Sequence, residues 1–173
     1  MPVVVVRENI ISLHTDAVVN PATPSLTADE GVSAEIFAAA GQRKLSAACK
    51  QIGYCETGCS VINKGYDLPA KFVIHTVGPI WRRREAGQML SAAYRSALEL
   101  AAEAGCESVA MPLLSVGRYG CPPEVSLEIA LREIHAFLEH HEMKILLALP
   151  EKFGPILKED RHRAVQDYVD THF

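Results

Sequence analysis

Short apolar runs and longer stretches with helical spacing alternate along this chain. Val3 to Val6 is a β-branched run and predicts a buried strand. Asp16 to Asn20 predicts a second, short strand, followed by the turn-rich Asn20-Pro21-Ala22-Thr23-Pro24-Ser25. Ala34 to Ala40 predicts a helix with Ser33 as its N-cap and Gly41 as its stop, and Arg43 to Gln51 predicts another. Strands are expected at Cys59 to Asn63 and Phe72 to Val77, joined by turn chemistry at Lys64-Gly65-Tyr66-Asp67-Leu68-Pro69. Met89 to Ala104 carries apolar residues at helical spacing and stops at Gly105. Ser108 to Leu114 predicts an apolar strand, and Val125 to Leu138 an amphipathic helix with Ile129, Ile134, Phe137 and Leu138 on one side. Ile145 to Leu149 predicts a last strand and Lys158 to Phe173 a last helix. Strands alternating with helices predict a largely parallel sheet covered on both faces. No repeat, low-complexity segment or linker breaks the pattern, so residues 1–173 are expected to form one domain.

Two loops leave the carboxyl ends of predicted strands, Asn20 to Ser33 and Ser115 to Pro122. Ligands of open α/β sheets sit in the crevice outside such ends. The second loop runs Ser115-Val116-Gly117-Arg118-Tyr119-Gly120-Cys121-Pro122 between a strand and a helix, an order that gathers backbone N–H groups at one point. The chain has no G-x-x-x-x-G-K-[ST] and no G-x-G-x-x-G after a strand. Phosphate binding would therefore rest on main-chain amides of both loops, which suits a diphosphate. Gly31, Gly117 and Gly120 would allow close approach of backbone, or would simply make turns.

Composition narrows the classes. Apolar residues make up 49% and charged residues 22%, an ordinary globular balance, and the net charge of −4 gives no footprint for duplex nucleic acid. Arg82-Arg83-Arg84 is the one basic cluster and is expected to be a solvated loop. Five cysteines are an odd number at low density. With no signal peptide pattern and no apolar run of membrane-spanning length, they predict a cytoplasmic protein with reduced thiols. Cys55 and Cys59, with His14, His75 and His135 elsewhere, make a weak zinc pattern, and neither metal nor cofactor is expected. His75 is expected to be a satisfied core histidine, Tyr66 to pack, and Cys121 to be a neutral thiol.

Three stretches carry a family resemblance. Asp16-Ala17-Val18-Val19-Asn20, Gly31-Val32 and Ala39-Ala40-Gly41 resemble the first half of a macrodomain. The segment from Lys64 to Pro79 resembles the middle signature, and Ser115 to Pro122 the second phosphate loop. The matches run in family order from about residue 7 to residue 150. The resemblance implies a three-layer α/β/α sandwich with a mixed, mostly parallel sheet that binds ADP-ribose or ADP-ribosylated groups. It is greatest to the bacterial branch that removes ADP-ribose from acidic side chains or deacetylates O-acetyl-ADP-ribose. It further implies that Asn9 and Ile10 meet the adenine, with Asn9 where the family usually has an aspartate. Asn20, Ala22 and Thr23 fall in the loop that contacts the distal ribose. Gly31, Val32 and Ser33 would offer amides to the phosphate near the proximal ribose. Ser115, Val116, Gly117, Arg118 and Tyr119 would cradle the diphosphate, with the Tyr119 ring over the distal ribose. Leu149 lies where the family often sets an aromatic against adenine.

Departures from the resembled pattern concentrate in the first loop. Active members carry Asn-Ala-Ala-Asn, a glycine run and Val-Asp, whereas this chain has Asn20-Pro21-Ala22-Thr23, Ala28-Asp29-Glu30-Gly31 and Val32-Ser33. A serine hydroxyl cannot serve as a carboxylate base. Asp29 and Glu30 either substitute for the lost acid or form an exposed acidic loop. The first expectation is thus a binding module for ADP-ribose or an ADP-ribosylated macromolecule, without membrane contact. Nucleic acid enters only as an ADP-ribosylated target. The alternatives are a hydrolase with non-standard water-positioning residues and, behind it, an interaction domain using the arginine cluster.

Overall fold

The computed structural model describes residues 3–150 and 153. Strands β1 (Val3–Val6), β2 (Ala17–Ala22), β3 (Ser60–Lys64), β4 (Phe72–Val77), β5 (Ser108–Met111) and β6 (Lys144–Ala148) form one sheet in the order β1-β6-β5-β2-β4-β3. Every pairing is parallel except β3 with β4. Helices α1 (Val32–Ala40) and α2 (Gln42–Ile52) cover one face, and α3 (Ala86–Glu103) and α4 (Pro123–Leu138) the other. The architecture is the expected three-layer sandwich. The helix expected over residues 158–173 lies outside the described residues.

Alternation explains the apolar strands. In β2, Ala17 and Val19 enter the core under α3 and α4, while Val18 and Ala22 enter the core under α1 and α2. In β4, Ile74 faces the first core, and Val73 and Val77 face the second. A strand buried on both faces has no polar side to show, hence the continuous apolar runs. Tyr94 of α3 and Phe37 of α1 are among the largest fully buried side chains, one in each core.

Several boundaries differ from the sequence expectation. β2 continues through Pro21 to Ala22, pairing along its whole length with β4 but with β5 only at Ala17 and Val18. A proline is tolerated there because one flank of the strand has lost its ladder. β5 ends at Met111, before Pro112. Ser33 is not the N-cap: α1 starts at Val32, and Gly31 makes the entry with φ 67° and ψ −129°, a backbone shape disfavoured for residues with a Cβ. Tyr66, expected to pack, is 40% exposed in the turn after β3.

Candidate functional site

From β2 the chain passes through α1 and α2 toward β3 and β4, and from β5 it passes through α4 toward β6 on the opposite side. The two connections diverge between neighbouring parallel strands, which opens a crevice above their carboxyl ends. The crevice there has a volume of ≈ 360 Å³, within the small-molecule range. Its first wall is Ala22, Asp29, Glu30, Gly31 and Val32; its second is Ser115, Val116, Gly117, Arg118 and Tyr119. Pro21, Gly78, Pro112 and Leu113 lie at the strand ends, with Ala148, Pro150 and Phe153 from the end of β6. A narrower extension of ≈ 150 Å³ shares Val32, Pro112, Ala148 and Pro150 and adds Asn9, Ile10 and Glu35.

Both walls present backbone donors. In α1 the first bond into the helix is Glu35 N–H to Gly31 O at 3.2 Å, so the N–H groups of Val32 and Ser33 have no acceptor within it. Gly31 and Val32 line the crevice, which sets the positive end of the helix beside it. Opposite, Gly117–Tyr119 forms a single 3-10 turn whose leading N–H groups are likewise without an acceptor in the turn.

Buried contacts hold this second wall. Leu114 N–H donates to Tyr94 Oη at 2.8 Å, and Ser126 Oγ donates to Leu114 O at 2.7 Å. Tyr94 Oη then donates to Ser126 Oγ, 2.7 Å away, which completes the ring of partners. Burial, the largest influence, pushes the Tyr94 hydroxyl well above its usual range, so it stays a neutral donor. Ser115 adopts φ 63°, and its Oγ donates to Pro79 O at 2.7 Å. That geometry presses the serine onto Gly78, where an added Cβ would collide with Ser115 Oγ.

An ion pair spans the mouth. Arg118 Nη2 donates to both carboxylate oxygens of Asp29, at 2.7 Å each. Arg118 therefore reaches back to the first loop, and Asp29, far from being a free acidic tip, is 75% covered (25% exposed). Asp29 also accepts the N–H of Glu30 at 2.9 Å. The Tyr119 phenol is pushed up, by burial first and the Asp29 charge second.

Four expected site residues are not brought to the crevice lining. Asn20 is 1% exposed, and its Nδ2 lies 2.9 Å from His75 Nδ1. Thr23 Oγ1 lies 3.2 Å from Ser25 Oγ within its own loop. The Ser33 side chain is buried beneath α1, its Oγ accepting the Asp29 N–H at 3.4 Å, although its own amide remains in the first helical turn. Leu149 is buried in the core, with its N–H bonded to Val6 O at 2.9 Å. The aromatic at the strand end is instead Phe153, whose N–H turns back to Pro150 O at 2.9 Å. Tyr94, Glu35 and Phe153 lie outside the matched motifs, and Gly78 lies in one without an expected role at the site. The Gly78-Pro79 pair after a strand was the one local signal, since tight approach of backbone is a use of glycine there.

His75 is the satisfied core histidine expected. Its Nε2 lies 3.4 Å from Cys49 Sγ, which donates to Asn63 Oδ1 at 3.4 Å. Burial lowers the His75 pKa to about 4 and raises that of Cys49 to about 11, leaving a neutral imidazole beside a neutral thiol. Cys121 is also raised by burial, to about 11, which keeps it a thiol. Among the described residues no cluster of histidine, cysteine and carboxylate is placed to hold a metal ion. None of their helices is long and apolar enough to cross a membrane. Arg82, Arg83 and Arg84 are exposed, as a solvated loop should be.

Comparison with known proteins agrees with the geometry. The profile of the Macro domain family matches residues 19–130. A macro domain-containing protein of Chlorobaculum tepidum is 44% identical over 135 residues, spanning 77% of this chain and 78% of the relative. The O-acetyl-ADP-ribose deacetylase of Escherichia coli K12 is 43% identical over 153 residues, spanning 86% and 83%. Among solved structures, the Oceanobacillus iheyensis macrodomain with ADP superimposes with a TM-score of 0.85 at 30% identity, covering 95% of this chain and 91% of that one. The Trypanosoma brucei macrodomain in complex with ADP-ribose gives 0.81 at 33% identity, covering 97% and 69%.

Proposed function

The chain belongs to the macro domain family, and on that premise we propose that its crevice binds ADP-ribose, free or attached to a macromolecule. The observation that carries this reading is the convergence of two amide-bearing turns, one with Gly31 and Val32 and one from Ser115 to Tyr119, on one crevice between β2 and β5. A diphosphate spreads its charge over several oxygens, and several fixed N–H donors satisfy it without added basicity. The narrow extension, with Ile10 in its lining, then takes the base, and Tyr119 covers the far ribose. The five unpaired cysteines support a reducing, cytoplasmic setting.

Calorimetric titration of the full chain with ADP-ribose tests the proposal. Saturable heat is expected for the wild type and none for Gly117→Val, which sets a branched side chain on the turn of the second wall at φ 70°. No heat from the wild type at millimolar ligand overturns it.

One observation favours a second reading, hydrolysis. The relatives include O-acetyl-ADP-ribose deacetylases, and the Glu30 carboxylate lines the crevice without a side-chain partner among the described residues. As a base, Glu30 would take a proton from water as the oxygen adds to the acetyl carbon. The ester C–O bond then breaks, giving acetate and ADP-ribose with the proton returned to the leaving oxygen. Acetate release from O-acetyl-ADP-ribose that is lost in Glu30→Gln supports this; release unchanged in that variant removes Glu30 from the role.

A further inference from the structure

The narrow end of the crevice has apolar walls, made by Val32, Pro112, Ala148 and Pro150, and a polar rim made by Asn9 and Glu35. Both polar functions of Asn9 are already engaged. Its Oδ1 accepts the Ile11 N–H at 3.3 Å, capping the 3-10 turn Ile10–Ser12. Its Nδ2 donates to Glu35 Oε2 at 3.3 Å. Asn9 Oδ1 is thereby turned to its own 3-10 turn, so a ligand amine would have to share an acceptor already in use. Glu35, which reaches this rim from the first turn of α1, keeps its second oxygen, Oε1, without a partner among the described residues. Beside it, Ile10 leads its turn, so its N–H has no acceptor within that turn.

A carboxylate acceptor next to a backbone donor, at the mouth of a flat apolar slot, is complementary to a base with an amine beside a ring nitrogen. A 6-aminopurine offers that order of donor and acceptor, whereas a 6-oxopurine reverses it. We propose that Glu35 is the residue that selects adenine in this protein, taking the exocyclic amine on Oε1 while Asn9 acts as a positioning residue that holds Oε2. The inference rests on ADP-ribose binding in the crevice and assigns its base selectivity to a side chain of α1. Mispairing leaves a carboxylate facing a carbonyl oxygen, which is worse than losing one hydrogen bond.

The test is calorimetry with ADP-ribose and with its hypoxanthine analogue, inosine diphosphate ribose, on the wild type, Glu35→Gln and Glu35→Ala. Glu35 is exposed, so both variants fold, and the ratio of the two affinities cancels any general loss. The wild type is expected to prefer ADP-ribose by about tenfold, the scale of one hydrogen bond to a charged group at an exposed rim. In Glu35→Gln the side chain also offers a donor to the 6-oxo group, so the preference vanishes or inverts. In Glu35→Ala it falls but keeps the part that the Ile10 N–H contributes through the ring nitrogen. Variants that retain the wild-type preference, or a wild type that binds both ligands equally, overturn the role of Glu35 while leaving ADP-ribose binding in place. A wild type that binds neither ligand overturns both.

Discussion

Mild acid is expected to destabilise this fold through a single imidazole. His75 sits in the second strand of the sheet from the β3 edge, fully covered, and burial holds its folded pKa at about 4 against the usual 6.5. Between those values the unfolded chain binds a proton that the folded chain refuses. Stability contributed by the neutral imidazole is complete above pH 6.5 and is lost as pH falls toward 4. A gap of about 2.5 pH units at 1.36 kcal/mol per unit amounts to about 3 kcal/mol. That is a large part of the roughly 5–15 kcal/mol that holds a domain of ordinary stability. The perturbation is His75→Asn, which keeps a polar group facing Asn20 but does not titrate. Urea unfolding at pH 7.5, 6.5, 5.5 and 4.5, extrapolated to zero denaturant, gives the stability of each protein. The variant starts lower at pH 7.5, because it leaves a cavity and loses the contact to Cys49. Its decline with acid should be shallower, so that the gap between wild type and variant narrows by about 2.5 kcal/mol over this range, which stops short of full protonation in the fold. Contributions common to the two proteins cancel in that difference. Parallel declines in the two proteins would refute the argument, because a His75 that titrates normally in the fold contributes no slope.

The second wall of the crevice offers a steric test. Gly78→Ala sets a methyl against Ser115 Oγ and should cost about 1–3 kcal/mol, seen as a fall of several degrees in Tm, with weaker ADP-ribose binding by calorimetry. Unchanged melting and binding would show that Ser115 moves freely. Asp29→Ala breaks the ion pair across the mouth and frees Arg118 for the diphosphate, so ADP-ribose should bind more tightly at low salt, the gain shrinking toward 0.5 M salt on the order of the Debye screening expected there. Stability should shift by less than about 1 kcal/mol, since Arg118 is 61% exposed; equal or weaker binding would mean that the pair organises the site rather than obstructing it. Ser126→Ala removes the donor to Leu114 O and the acceptor for Tyr94, and should cost about 1–3 kcal/mol by urea unfolding. A cost below about 0.5 kcal/mol would show that a water replaces the hydroxyl.

Pattern alone located the described elements because each is periodic and bounded by strong punctuation. Val3–Val6 and Phe72–Val77 match their expected bounds, and Gly41 separates α1 from α2 as its position suggested. Ends were less legible where a neighbour decides them. Pro21 belongs to a strand because β4 continues beside it, and Ser33 is swallowed by α1 because Gly31 makes the entry. Of the expected site, Ser115 to Tyr119 all line the crevice, since a turn between a strand and a helix is placed by local geometry. Asn20, Thr23 and Leu149 illustrate the opposite case, with Asn20 Nδ2 turned to His75, Thr23 to Ser25 and the Leu149 N–H to Val6.

The order of apolar runs, turns and helical periods along this chain was sufficient to determine a covered parallel sheet and the place of an amide-lined crevice at its strand ends. Those features follow from hydrogen bonding and burial within a few residues or a single element. The choice of side chains at the crevice rested on contacts across the fold. Asp29 meets Arg118 across 89 positions of sequence, and Asn9 meets Glu35 across 26. Whether a polar group is free for a ligand depends on which other groups have already claimed it, and that competition is settled only when the chain has closed on itself.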